Sequence, residues 1–477
     1  MPRIDILEQD LTRATGAVGT DIPFIPGFVK EIQYAYRKAE ALDDPAEIKY
    51  REPSFEERAN KSERIKDGMI QITDDEKGTH VRYAITEYNK PILCTSVTNF
   101  EAIFGKQPLT FAADETYAGV SVKKDDVDKS YIMAKELLNA GMPVYYYGVN
   151  LTDDGVLECF YENISTYFTN GDLEDKGEYT IKYLTTGGYP NYEVDGYTLP
   201  TAMQSIASKR GDCVAIIESI HNKDAKLSPT DSASFFKKLC EDTNFDVGGE
   251  FSTAFFPWAP YNLTKSYKNS NDKAITRAIM PACFGYLADL AANIKVSPNW
   301  LAMAGTTRGL IPNIAGLDLN TRLSNVVANA YQPTKSIDGK RALNAITDIK
   351  PYGLCIWGNR TLRTIEEGGL KGTNFLNTRN MISDIKKVAY RVAKSLIYEQ
   401  NNETLWLNFK SQVAPFLEQL KSGAGIADYK LLKLDTHYNG SSLGKEEFAC
   451  AIRIIPVYAV ETFEITVVVS DADVAVE

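Results

Sequence analysis

The strongest constraint on the fold is a change of period near the end of the chain. From Asn380 to Gln400, apolar residues recur at Met381, Ile385, Val388, Ala389, Val392 and Leu396, which is one stripe of an α-helix. Lys386, Lys387, Arg391 and Lys394 fall on the other side. A second helix is expected from Glu403 to Leu420, stopped by Gly423-Ala-Gly425. The runs 430–435, 448–455 and 462–469 then suit strands. In the last of them Phe463, Ile465, Val467 and Val469 alternate with Thr462, Glu464 and Thr466, so one face is meant for burial. The region therefore reads helix–helix–strand–strand–strand.

Upstream, helix and strand signals alternate from about residue 128 to 360, as in an α/β domain with a mixed sheet. Phe100 to Gly105 reads as a short helix closed by glycine, and Asp128 to Ala140 as a helix before Gly141. Val144 to Val149 reads as a strand, and so does the aromatic run Phe251 to Trp258. Asp212 to Glu218 is nearly all apolar and suits a strand buried on both faces. Ile275 to Ala292 is helix-like but interrupted by Pro281. Phe24-Ile-Pro-Gly-Phe28 is apolar but broken by Pro23, Pro26 and Gly27. The charged stretch from Glu31 to Asp67 is helix-prone and reads as a surface insertion, and Met1 to Gly19 as an arm.

Chemistry is scarce. The net charge of −11 disfavours phosphate backbones as partners, so no nucleic acid is expected. No apolar run reaches the length of a membrane span, and the opening residues lack the apolar core of a secretory signal. The seven cysteines are scattered, odd in number and free of C-x-x-C pairs, which argues against a disulfide framework or a zinc site. His80, His221 and His437 lie far apart, outside any metal or triad pattern. No nucleophile elbow and no phosphate-cradling glycine loop is present, so no catalytic, metal-ligating or cofactor-binding residue is expected. An α/β hydrolytic enzyme and another self-assembling tail or shell protein remain the alternatives at this stage.

Several segments together resemble a known family. Tyr352-Gly-Leu-Cys-Ile-Trp-Gly-Asn-Arg-Thr-Leu362 resembles the signature of contractile phage tail sheath proteins, carried here by Trp357, Gly358, Arg360 and Thr361. In order along the chain follow Asn377-Thr-Arg379, then Trp406 with Phe409, Phe416-Leu417 with Leu420, Gly423-Ala424, Tyr429, and Pro456 with Glu461. Upstream, Pro91 to Ser96 with Phe100 and Phe104-Gly105, Ala134 to Gly141 with Tyr145 to Val149, and Met303-Ala-Gly305 are similar to further parts of the pattern. Only one of the family's two arginines is present there, as Arg379, and Asn150 stands where the family has another arginine.

The resemblance implies an α+β / α/β multidomain subunit of a contractile tail sheath or of a related injection particle such as an R-type bacteriocin. Such subunits assemble in the host cytoplasm as stacked hexameric rings in a helical polymer. They surround an inner tail tube, meet baseplate and tail terminator proteins, and insert into no membrane. The expected segments are 1–20 (exchange arm), 21–90, 91–200 and 201–350 (outer region and core), and 351–477 (tube-facing domain). The resemblance also implies that small sheets are completed by strands from neighbouring subunits. Arg3, Ile4, Asp5 and Ile6 form one short alternating segment able to serve, and Phe463, Ile465, Val467 and Val469 form the other. Lys386, Lys387 and Lys394 are the expected contacts to an acidic tube.

Overall fold

A computed structural model of the chain describes residues 21–29, 33–34, 49–51, 70–75, 78–83, 90–111, 113–117, 120–124, 126–150, 156–174, 176–189, 199–218, 249–268, 273–294, 297–318, 344–364, 369–436 and 440–461. Strands β1 (Pro23–Val29), β2 (Gln33–Tyr34), β3 (Lys49–Arg51), β4 (Ile70–Asp75), β5 (Gly78–Tyr83) and β6 (Pro91–Cys94) open the chain. Helix α1 (Val97–Phe104), the small pair β7 (Glu115–Tyr117) and β8 (Val120–Val122), α2 (Lys129–Asn139), β9 (Val144–Asn150) and α3 (Val156–Thr169) follow. Next come β10 (Tyr183–Leu184), α4 (Leu199–Arg210), β11 (Val214–Glu218), β12 (Ser252–Phe256), β13 (Ala259–Lys268) and β14 (Ala274–Met280). After α5 (Ala282–Asn293) and α6 (Gly305–Arg308), strands β15 (Asn344–Ile349) and β16 (Gly353–Trp357) complete the body. Helices α7 (Leu376–Ser395) and α8 (Glu403–Ser422) and strands β17 (Ile426–Leu434) and β18 (Ala449–Pro456) form the C-terminal domain.

One eight-stranded sheet, in the order β16-β15-β12-β11-β10-β1-β9-β6, organises the body. Its interior pairings are parallel, and the two edge strands β6 and β16 run antiparallel to their neighbours. A parallel interior needs helices on both faces, and alternate residues of each strand accordingly enter two separate cores. Ile25, Val144, Tyr146, Val214 and Ile216 face one, with α2 and α5. Phe24, Phe28, Tyr145, Tyr147, Ala215 and Ile217 face the other, with α3 and α4. The sheet takes strands from four of the five segments expected from sequence.

The run broken by prolines at 23 and 26 is in fact β1, with all seven residues buried between β9 and β10. Pairing with β10 involves only Pro23 and Phe24, so Pro26 interrupts no ladder on that side. Gly27 is required because Tyr146 crosses it: a Cβ there would lie 2.1 Å from the tyrosine hydroxyl oxygen. Asp128 then ties the layers together. From the N-cap of α2 it accepts hydrogen bonds from the amides of Phe28 (3.2 Å) and Ser130 (3.0 Å) and from the hydroxyls of Tyr189 (2.7 Å) and Tyr146 (3.1 Å). Burial raises its carboxyl above the ordinary range, against the pull of these donors.

Two further expectations change. Residues 275–280 belong to strand β14, and Pro281 is the N-cap of α5 rather than a break within one helix. The stretch expected to be a helix-prone insertion contributes β2 and β3 to a four-stranded antiparallel sheet, β2-β5-β4-β3, where it is described. Among the described residues no helix is long and apolar enough to cross a membrane.

Candidate functional site

The C-terminal domain offers the body one polar face and keeps one apolar face for itself. On α7 the apolar stripe Met381, Ile385 and Val392 packs with Trp406, Phe409, Val413, Leu417 and Leu420 of α8, and Trp300 of the body closes the cluster. The hairpin β17–β18 lays Tyr429, Leu431, Cys450, Ile452 and Ile454 against the same core. Glycines 423 and 425 end α8 where the Trp300 ring packs, and the indole nitrogen donates to the Gly423 carbonyl at 3.0 Å.

The flank of α7 turned to the body carries Asn377, Asn380, Asp384 and Lys387, spaced as one helical stripe and all buried. Asn377 donates to the Trp300 carbonyl at 2.9 Å and accepts from Asn359 at 2.7 Å. Asn380 donates to the Tyr286 hydroxyl at 3.0 Å. Asp384 takes both its oxygens to the Lys182 ammonium at 2.7 Å, and the same ammonium meets Asp21 at 2.8 Å. Asn299 donates to both Asp21 oxygens, at 2.7 and 2.9 Å. Burial opposes charge on Lys182, but the two carboxylates outweigh it and hold the ammonium above its ordinary pKa. Lys387 donates to the Ile181 carbonyl at 2.9 Å; burial, with Lys182 close by, lowers its pKa to about 8.

This places the three expected tube-facing lysines apart. Lys387 is interior and cannot belong to an exposed basic face, because the polar flank of α7 is itself covered by the body. Lys386 is exposed at the body boundary, its ammonium 5.5 Å from the Phe251 ring, and Lys394 is exposed in the last turn of α7. Asp21, Lys182, Asn299 and Asp384 were absent from the sequence-based candidates. The 377–380–384–387 spacing was the available signal for the last of them.

The tryptophan–arginine signature is a structural joint. Trp357 ends β16, and the chain then passes under the N-terminus of α7. The Arg360 amide donates to Asn344 Oδ1 at 2.8 Å, and the Arg360 carbonyl accepts from Thr253 Oγ1 at 2.8 Å. Thr361 Oγ1 donates to the Thr373 carbonyl at 2.7 Å. The Arg360 guanidinium lies 4.5 Å from the Phe375 ring centroid and forks onto Glu461, with Nε 3.0 Å from Oε1 and Nη2 bonded to Oε2.

Among the described residues only β17 and β18 form the sheet of the C-terminal domain, so each strand has one edge without a partner strand. Ile455, Tyr458 and Val460 are 60%, 50% and 76% exposed beside it, and Ile397, Tyr398 and Leu407 are exposed on the helical pair. Phe463, Ile465, Val467 and Val469, like Arg3, Ile4, Asp5 and Ile6, lie outside the described residues. So do His221 and His437, and no group of three or more His, Cys, Asp or Glu side chains among the described residues is arranged to hold a metal ion.

Residues 372–470 match the family profile of the phage tail sheath C-terminal domain. That stretch, which holds the helical pair and the hairpin, is similar to a tail sheath C-terminal domain. Its relatives include the tail sheath protein of Vibrio phage KVP40, 23% identical over 338 residues, which cover 70% of this chain and 46% of that protein. The tail sheath protein of Enterobacteria phage T4 is 23% identical over 215 residues, 45% of this chain and 29% of that protein. The matched stretches thus span less than half the length of either phage protein. Among solved structures, the sheath complex of an extracellular contractile injection system (PVC) in its contracted state aligns with a TM-score of 0.52. That match is 13% identical and covers 82% of this chain and 89% of that one. A chain of the anti-feeding prophage baseplate aligns with a TM-score of 0.52 at 10% identity, over 98% of this chain and 99% of that one. These likenesses carry the fold of the whole body, not only of the sheath domain.

Proposed function

We propose that the chain is the structural subunit of a contractile tail sheath, stacking as hexameric rings around an inner tube and driving that tube through a target envelope. The observation that supports this reading is the C-terminal domain: a two-stranded hairpin on a helical pair, whose outer edges have no partner strand among the described residues, with exposed apolar side chains around them. Such edges are aggregation hazards in a monomer and assembly devices in a polymer. The alternating segments 3–6 and 463–469 are the strands we assign to the sheets of other copies.

Contraction in this scheme needs no fuel and no catalytic residue. An extended sheath held by tube and baseplate is a metastable state, and each subunit supplies only a few kcal/mol on release. The tube, the baseplate and a terminator are its partners in a virion tail or extracellular particle. On the described surface Lys394, with Lys386 at its edge, is the lysine pair left for an acidic tube. Exposed ion pairs of this kind are worth about 0–1 kcal/mol and release readily.

Negative-stain microscopy of the purified full chain is the test. Wide, striated hollow tubes are the expected result. Narrow smooth tubes point to a tail tube instead, and discrete particles reopen the hydrolase alternative.

A further inference from the structure

The two faces of the eight-stranded sheet carry opposite charge. On the face covered by α2 and α5 lies the antiparallel pair β13–β14, whose residues Ala259, Tyr261, Tyr267 and Met280 join that core. Its solvent side holds Lys265, Lys268, Lys273 and Arg277, all exposed, and residues 259–280 contain a single acidic residue, Asp272. The Lys268 amide donates to Gln107 Oε1 at 3.1 Å, so the exposed Lys106 adjoins the same stretch. Among the described residues Lys265 meets no carboxylate, and Arg277 donates to a backbone carbonyl, that of Ala315, at 3.1 Å. On a chain of net charge −11 this is a patch of the minority sign. On the opposite face α3 buries Leu157, Phe160, Tyr161 and Ile164 and keeps Glu158 and Glu162 exposed. These two stand one helical turn apart, a spacing at which like charges repel. No cation pairs with either among the described residues, whereas nearby Glu174 is already matched by Lys209 at 2.7 Å. Asp172 is exposed just past the end of α3.

We infer that the basic β13–β14 pair of one copy docks on the acidic face of α3 in a second copy of this chain. The inference rests on the polymer reading above and adds the two surfaces that meet. Because they are different faces of one chain, the contact is head-to-tail, the type that closes into rings or continues as a helix. Docking brings Lys265 and Arg277 to carboxylates and relieves the repulsion between Glu158 and Glu162. Complementary patches also steer the encounter and select its orientation, since basic-on-basic and acidic-on-acidic approaches are repelled. The charges lie on opposite sides of the sheet, so one copy can serve as donor and acceptor at once.

The test follows polymer growth of the purified full chain by light scattering, in three charge variants. Lys265→Glu/Arg277→Glu turns the basic patch acidic, and Glu158→Lys/Glu162→Lys turns the acidic one basic. All four side chains are exposed, so the melting temperatures should stay within about a degree or two of the wild type. Each variant alone should assemble at least about ten-fold more slowly, because like charges now face each other. The chain carrying all four substitutions restores opposite signs across the contact and should recover to within about three-fold of the wild-type rate. Raising the salt to about 1 M, where charges are screened beyond about 3 Å, should erase most of the difference between variants. Assembly of both double variants at the wild-type rate overturns the docking. Slow assembly that the four-fold variant does not rescue overturns the pairing of these two faces and gives the basic patch another partner. A wild-type chain that forms no polymer instead overturns the polymer reading, and this contact with it.

Discussion

Strand β9 in the body and strand β18 in the sheath domain are both apolar, yet they end in opposite situations. Val144 to Val149 are all buried, with β1 on one side and β6 on the other and helices above and below. Among the described residues those of β18 pair on one side only, and Ile455 stays 60% exposed. Strand β9 is thus covered on both faces and both edges, while β18 keeps apolar surface exposed. Substitutions in the first should therefore change folding, and substitutions at the rim of the second should change association.

The largest effect belongs at the seam between them. Lys182→Met leaves Asp21 and Asp384 facing each other in the interior without their shared cation. Breaking a buried pair from one side costs about 3–5 kcal/mol, so the denaturant midpoint of the monomer should drop sharply. Truncating the pair Lys421–Asp428 should leave that midpoint in place, since both groups are exposed at the surface. Equal responses at the two sites would show that the seam is no tighter than the surface.

Next in size is the core of the sheath domain. Leu417, on α8, has no exposed surface and packs among Met381, Trp406 and Val413. Leu417→Ala should cost about 2–5 kcal/mol, read from the same unfolding curves. If it costs much less, the sheath domain is loosely packed in the isolated subunit and the comparison with the body sharpens further.

The seam also shows where sequence reading stops. Both helices, the first two strands after them and the apolar stripe of α7 were legible, because a 3.6-residue period next to a two-residue period admits few alternatives. The burial of Lys387 was not, since periodicity marks its flank as polar and polar flanks are normally wet. Here Asp384 and Lys182 make a buried polar face tolerable. In β14, Ile275, Ala278 and Ile279 suit a helix as well as a strand. The decision is made by β13, which ends at Lys268 and offers β14 an antiparallel ladder that the period of β14 alone does not reveal. In β1, the prolines suggested a break, but the tyrosine crossing Gly27 shows that close packing, not chain flexibility, selected that glycine.

A smaller, pH-dependent effect distinguishes the two regions again. Asp289 sits in α5, inside the body, accepting from Asn293 at 2.9 Å through Oδ1 while Oδ2 is buried without a partner. Burial pushes its pKa up to about 8. The unfolded carboxyl titrates near ~3.9, so between that pH and about 8 the native state holds a proton the unfolded state has lost. Stability therefore declines as pH rises through this window. Asp289→Asn removes the decline: it should raise the melting temperature most at pH 8, and the gain should vanish toward pH 4. A gain independent of pH would mean that Asp289 is charged in the folded state.

The smallest effect on the monomer should be the largest on assembly. Ile455 and Val460 flank the open edge and are mostly exposed, so converting both to lysine removes little buried area. The melting temperature should stay within about a degree or two, as for surface changes worth under ~0.5 kcal/mol. Edge lysines, however, are how soluble sheets refuse an added strand, because the incoming backbone must bury their charge. Tube formation, followed by light scattering and microscopy, should be abolished while the circular dichroism spectrum is unchanged. Tubes of normal length from the Ile455→Lys/Val460→Lys chain would move the assembly contact elsewhere, with the exposed Tyr398 and Leu407 side of the helical pair as the next surface to test.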